Sequence, residues 1–100
     1  MLNSRQRAQL RAIANSLDTI VQIGKGGIAE NVVTQVTDAL AAREIIKGRV
    51  LDASPLTARE AADELCNTCS AECVMTIGSR FVLYKENTKI APDKRIKLVK

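Results

Sequence analysis

The residues of greatest chemical interest in this sequence are four consecutive ones, Gly24-Lys25-Gly26-Gly27. Three glycines in four leave almost no side-chain bulk over the backbone, and Lys25 sets a full positive charge at the tip. Peptide N–H groups exposed in such a loop, joined by the free N–H groups of a following helix, can hold a phosphate. The G-x-x-G spacing is one that clamps a nucleic-acid backbone. A tight strand-to-helix turn calls for glycine as well, wherever φ is positive, so the motif alone leaves both readings open. Other phosphate loops fail on spacing. No Ser or Thr follows Lys25, as a P-loop requires, and Ala29 stands where a dinucleotide fingerprint has its last Gly.

A second cluster is Cys66, Cys69 and Cys73, spaced C-x2-C-x3-C. It suggests a small metal- or redox-responsive protein as the alternative reading. The set lacks a fourth Cys, and the chain has no His to complete a zinc site. Buried thiols in a reducing compartment account for the same three residues. Absence of His also excludes Ser-His-Asp and Cys-His catalysis. Glu60, Asp63 and Glu64 cluster on one predicted helix, where a solvated face explains them as well as an acid pair does. With one Tyr, one Phe and no Trp, a binder built on several stacked aromatics is nearly excluded. Tyr84, beside Lys85, reads equally as a stacking platform or as a core residue. No metal, cofactor or small-molecule substrate is expected.

Hydrophobic periods supply the elements that position these residues. Leu10, Ile13, Ala14 and Leu17 predict a helix over 3–17, with Arg7 and Arg11 sharing a flank. Ile20 to Ile23 reads as a short strand buried on both faces. The glycine loop follows, then a helix from Ala29 to Arg43 whose stripe is Ile28, Val32, Val36, Ala39 and Leu40. Ile45 to Leu51 is a second strand in which Gly48 marks a bulge or a close approach. Thr57 and Glu60 form a capping box that starts a third helix, buried through Ala61, Ala62 and Leu65 and ending near Asn67. Cys73 to Ile77 and Arg80 to Lys85 flank Gly78-Ser79, the signature of a hairpin with a type II′ turn. Helix-separated strands pair in parallel and a hairpin pairs antiparallel, so the expected fold is α/β, αβαβαββ, with a mixed four-stranded sheet. Residues 87–100 carry many charges and Pro92. A frayed basic tail is expected there, with Arg95-Ile96-Lys97-Leu98 as a candidate edge strand.

Charge is distributed unevenly. The 100 residues carry net +4: residues 1–27 hold +3, 28–54 hold −1, 55–77 hold −3 and 78–100 hold +5. Two basic ends that met in space would make one positive face suited to a polyanion. Hydrophobic residues at 46% with 5 Gly and 2 Pro indicate one globular domain. No apolar run approaches a membrane span, and the polar, basic first residues do not read as a secretory signal. A cytoplasmic protein without a membrane partner is the expectation.

Several of these motifs recur together in a known family. Arg5-Gln6-Arg7-Ala8, Leu10-Arg11, Ala14, Leu17 and Val21-Gln22-Ile23-Gly24-Lys25-Gly26-Gly27-Ile28 resemble the CRM domain, the RNA-binding module of chloroplast splicing factors and of small bacterial YhbY-like proteins. The likeness continues through Asn31-Val32-Val33, Glu44-Ile45-Ile46-Lys47, Arg59-Glu60, Glu64-Leu65, Ile77-Gly78 and Phe81-Val82-Leu83-Tyr84-Lys85. It spans about residues 3–86, leaving 87–100 as a tail. The resemblance implies a fold similar to the C-terminal domain of translation initiation factor 3. It also implies non-catalytic binding of ribosomal RNA in precursors of the large ribosomal subunit, to assist their maturation. The family's G-x-x-G loop, also found in KH-type domains, falls on Gly24 to Gly27, and its basic positions on Arg11, Lys25, Lys47 and Lys85. Arg7 and Arg80 complete the expected phosphate contacts. One departure is Ser70, at the end of the third helix, where the family usually has Gly.

Overall fold

The computed structural model describes residues 2–90 and 95–99. Its elements are α1 (Ser4–Ala14), β1 (Val21–Ile23), α2 (Glu30–Arg43), β2 (Ile45–Val50), α3 (Ala58–Cys69), β3 (Glu72–Ile77) and β4 (Arg80–Tyr84). This is the order that the hydrophobic periods predict. The strands make one sheet, ordered β1-β2-β4-β3. β1 runs parallel to β2, because α2 carries the chain back between them, and β4 is antiparallel to β2 and β3. In the β3–β4 turn Gly78 has φ +57° and Ser79 is not left-handed, which fits the type II′ turn and not type I′.

The sheet buries its two faces differently. Val21, Ile23, Ile46, Val50, Phe81 and Leu83 point to one side, where Val32, Val36 and Leu40 of α2 and Ala61, Ala62 and Leu65 of α3 cover them. Gly48 lies in this layer directly opposite Phe81, and a Cβ at Gly48 would collide with that ring. The glycine therefore marks a close approach. The bulge lies instead in β3, where the register shifts between Cys73 and Met75. On the other face, Leu10 and Ala14 of α1 pack on Ile45, Val74, Val82 and Tyr84. Among the described residues no helix is long and apolar enough to cross a membrane.

Three local expectations need correction. α1 stops at Ala14, three residues early, and Leu17 still reaches the second cluster through a turn closed by its N–H on the Ala14 carbonyl. β1 is not buried on both faces: Gln22 is exposed, because β1 is an edge strand and α1 packs over β2 and β3. α3 runs past Asn67 to Cys69, starting from the Thr57–Glu60 capping box as expected. Its C-cap, Ser70, is left-handed at φ +57°. An L side chain there costs about 1 kcal/mol relative to Gly. Ser70→Gly should therefore raise stability by about 1 kcal/mol, read as a higher urea midpoint with an unchanged slope.

Described residues on both sides of 91–94 are tied to the domain. Glu44, the left-handed C-cap of α2 at φ +64°, is fully buried. Its carboxylate accepts the N–H of Asn87 at 2.7 Å and that of Ile96 at 2.8 Å. Arg95 Nε lies 3.5 Å from the same group, close enough for an ion pair but not aimed as a hydrogen bond. Ile96 and Leu98 pack on the α1-side cluster, and Gln9 of α1 both donates to the Lys97 carbonyl and accepts from the Val99 N–H. Residues 95–99 thus neither fray nor form a strand; side chains of α1 and Glu44 take the hydrogen bonds a strand would have supplied. Pro92 lies outside the described residues. The two basic ends of the sequence do meet, along α1.

Candidate nucleic-acid interface

Between β1 and α2 the glycine loop is a β-turn closed by Gly27 N–H on the Gly24 carbonyl at 3.0 Å. Lys25 and Gly26 occupy its exposed corners. The three glycines have different reasons to be there. Gly27 is buried at φ +65°, a conformation that favours glycine. Gly24 meets only an ordinary contact with Leu51. Gly26 has no positive φ, and a Cβ on it would meet nothing within 4 Å. The turn itself therefore does not require glycine at 26. α2 begins three residues on, and its N-cap, Ala29, provides no side-chain acceptor, whereas α1 and α3 each have a complete capping box. Its first N–H groups stay available beside the loop.

Strand register carries this surface across the sheet. Gln22 of β1 is opposite Arg49 of β2, Arg49 is opposite Arg80 of β4, and Arg80 is opposite Ile77 of β3. All four are exposed, on the face that α1 leaves open at this end. The row is about 14 Å wide, from three interstrand spacings of about 4.8 Å. Two arginines directly opposite repel each other and destabilise a sheet. Among the described residues neither has an ion-pair or hydrogen-bond partner. One row further in, Lys47 is half-buried and donates to the Ala14 carbonyl at 3.3 Å, where it neutralises the C-terminal end of α1.

The structure thus sorts the residues expected from sequence. Gly24, Lys25, Gly26, Gly27 and Arg80 lie at the end of the sheet where β1 and β2 finish, with Lys47 one row further in. Arg7 lies at the opposite end, its guanidinium donating to the Cys73 carbonyl. Lys85 lies there as well, its ammonium on the Cys69 carbonyl at 2.9 Å, where it caps α3. Arg11 is exposed on α1, one turn nearer the loop than Arg7. Arg49 was missed by sequence reading. The available signal was its place two residues after Lys47 in a strand, which puts both on one face.

The cysteines belong to another region. Cys66 and Cys73 border an open groove with Arg7, Arg59 and Asp63, and all three cysteines are free thiols. Among the described residues no group of three or more possible ligands gathers to hold a metal. Burial pushes the Cys66 thiol up to about 12, with the charges of Cys73 and Asp63 adding to it. A thiol so disposed is protonated at neutral pH and slow to react. Its folded value lies above the unfolded 9.0, so its contribution to stability is complete below pH 9 and is lost as pH rises toward about 12. Cys66→Ala should decline less than the parent in urea melts across that window. Asp63 pairs with Arg59 at 3.3 Å on an exposed face, and Glu60 completes the capping box. Tyr84 is a core residue of the α1-side cluster, and burial raises its hydroxyl pKa.

Comparison with known proteins decides the family. A family model for the CRS1/YhbY (CRM) domain matches residues 2–85. This chain is a CRM domain. The domain is similar to "Probable RNA-binding protein YqeI" of Bacillus subtilis (strain 168), at 39% identity over 98% of this chain and 99% of the relative. An "RNA-binding protein" of Haemophilus influenzae is 32% identical, over 89% of this chain and 92% of its own. The solution structure of a hypothetical Staphylococcus aureus protein, proposed to bind RNA, matches at TM-score 0.71 and 39% identity, covering 99% of this chain and 100% of that one. The CRM domain's mixed sheet with three helices is thus a fold already solved in a relative.

Proposed function

We propose that this CRM domain binds RNA without catalysing a reaction. Its target in this reading is ribosomal RNA in cytoplasmic precursors of the large ribosomal subunit, whose maturation it assists. One observation carries the RNA reading: Gly26, at an exposed corner of the loop, is a glycine that neither φ nor packing demands. Arg49 and Arg80, opposite each other at the same end of the sheet and unpartnered among the described residues, support it. Both features weaken or do nothing for the isolated fold, and both suit a phosphate chain. The names of the relatives point the same way. The ribosomal target rests on the family resemblance. Crosslinking in cells, followed by sequencing of the bound RNA, tests it: enrichment of large-subunit precursor RNA is expected, and its absence sinks the target.

The electrostatic share of binding is measurable in vitro. Lys25, Lys47, Arg49 and Arg80, with Arg11, offer about five cations to a backbone. Log affinity for a structured RNA should then fall against log salt with a slope of roughly 3.5 to 4.5. Titrations from low to moderate salt read it directly; a flat dependence would remove the basic row from the interface.

A further inference from the structure

Resting on the RNA reading above, we infer that the sheet end beside the glycine loop takes an unpaired nucleobase, seated on Ile77 in the depression behind Arg80. Ile77 is the most exposed large hydrophobic residue described, at 64%. It ends β3, opposite Arg80, at one end of the Gln22–Arg49–Arg80–Ile77 row. Behind it the surface dips into a cavity of about 160 Å³ lined by Ala14, Asn15, Lys47, Met75, Ile77 and Arg80. A cavity of about 150 Å³ is known to admit a benzene-sized ring.

The lining is graded in a way that suits a base attached to its phosphates. Met75, Ala14 and Ile77 supply an apolar floor. Arg80 at the rim has a planar guanidinium that can lie against a ring face. The Asn15 amide offers a donor and an acceptor to a base edge. Next to Arg80 in the row stands Arg49, free to hold the phosphate of the same nucleotide. Apolar floor and cationic rim together select this occupant: a phosphodiester outside, a flat ring inside. Bases within an uninterrupted A-form helix are stacked and cannot enter, so the preferred RNA has a bulge or loop.

The test compares a short RNA hairpin carrying one bulged 2-aminopurine with the same stem fully paired. The protein should bind the bulged hairpin about fivefold more tightly, with a change in 2-aminopurine fluorescence at saturation. Ile77→Ser, at a surface position, should abolish both the preference and the fluorescence change. Val99→Ser, at the other exposed large hydrophobic, should keep both. Equal affinity of the parent for the two RNAs overturns the base site and leaves RNA binding standing. Failure to bind either hairpin at low salt overturns RNA binding itself. If Ile77→Ser keeps the preference but abolishes self-association seen in sedimentation, Ile77 serves a protein contact and the inference is wrong.

Discussion

Gly26→Asp is expected to fold as well as the parent and to lose RNA affinity by about tenfold or more. The fold is indifferent because the Cβ enters open space and φ is not positive. Replacing glycine there could even stabilise by about 0.5 kcal/mol, through a less flexible unfolded chain. Binding suffers because the aspartate brings bulk and a negative charge to the corner where a phosphate would sit. Two further variants fix the interpretation. Lys25→Ala removes one charge and leaves the amides, so a loss of about threefold is expected. Gly27→Ala forces an L side chain to φ +65°, so it should lose about 1 kcal/mol of stability, with affinity falling only as folding does. Melts and RNA titrations on the same samples separate the three. Parent-like affinity in a well-folded Gly26→Asp protein would move the RNA surface off the loop.

Element order was legible in the sequence wherever local chemistry decides it. The Thr57–Glu60 capping box starts α3, and Gly78-Ser79 turns the β3–β4 hairpin. The buried stripe of α2 is the predicted one, through Val32, Val36 and Leu40. What was not legible depends on which strand lies beside which. β4 inserts between β2 and β3, a pairing between elements 30 or more residues apart, and no local pattern announces it. Arg49 and Arg80 therefore become neighbours only in the folded sheet. The same pairing leaves Gln22 on an open edge strand and seats Phe81 on Gly48. The basic positions show the limit most clearly. Composition treats Arg7, Lys47, Lys85 and Arg80 as equivalent cations. In the fold three of them are tied to backbone carbonyls, whereas Arg80 has no partner among the described residues. The position of Glu44 in sequence, between a helix and a strand, likewise gave no sign that it would be buried whole.

Glu44→Ala should destabilise the domain more than any of the loop substitutions, by about 3 kcal/mol, the scale for leaving two buried N–H groups without an acceptor. The carboxylate serves the N–H groups of Asn87 and Ile96 and faces Arg95. Without it, two amides lose their acceptor in a site that water reaches poorly, and Arg95 loses one of its two carboxylate neighbours. Glu44→Gln keeps the shape but turns a donating NH2 toward one of those amides, so a smaller loss of about 2 kcal/mol is expected. Glu44→Gly would relax the left-handed backbone at 44 by about 1 kcal/mol, which does not offset the lost acceptor. In a domain of this size each kcal/mol moves the melting temperature by about 4–8 °C, so the alanine variant should melt at least about 12 °C lower. Hydrogen exchange localises the effect. The Ile96 and Asn87 amides should lose protection first, ahead of the sheet. Glu44 precedes β2, and the glycine loop lies at the far end of that strand. At temperatures where the Glu44→Gln protein is folded, its RNA affinity should therefore match the parent's. Reduced affinity in that folded variant would mean that residues 95–99, which pack against α1, are part of the RNA surface.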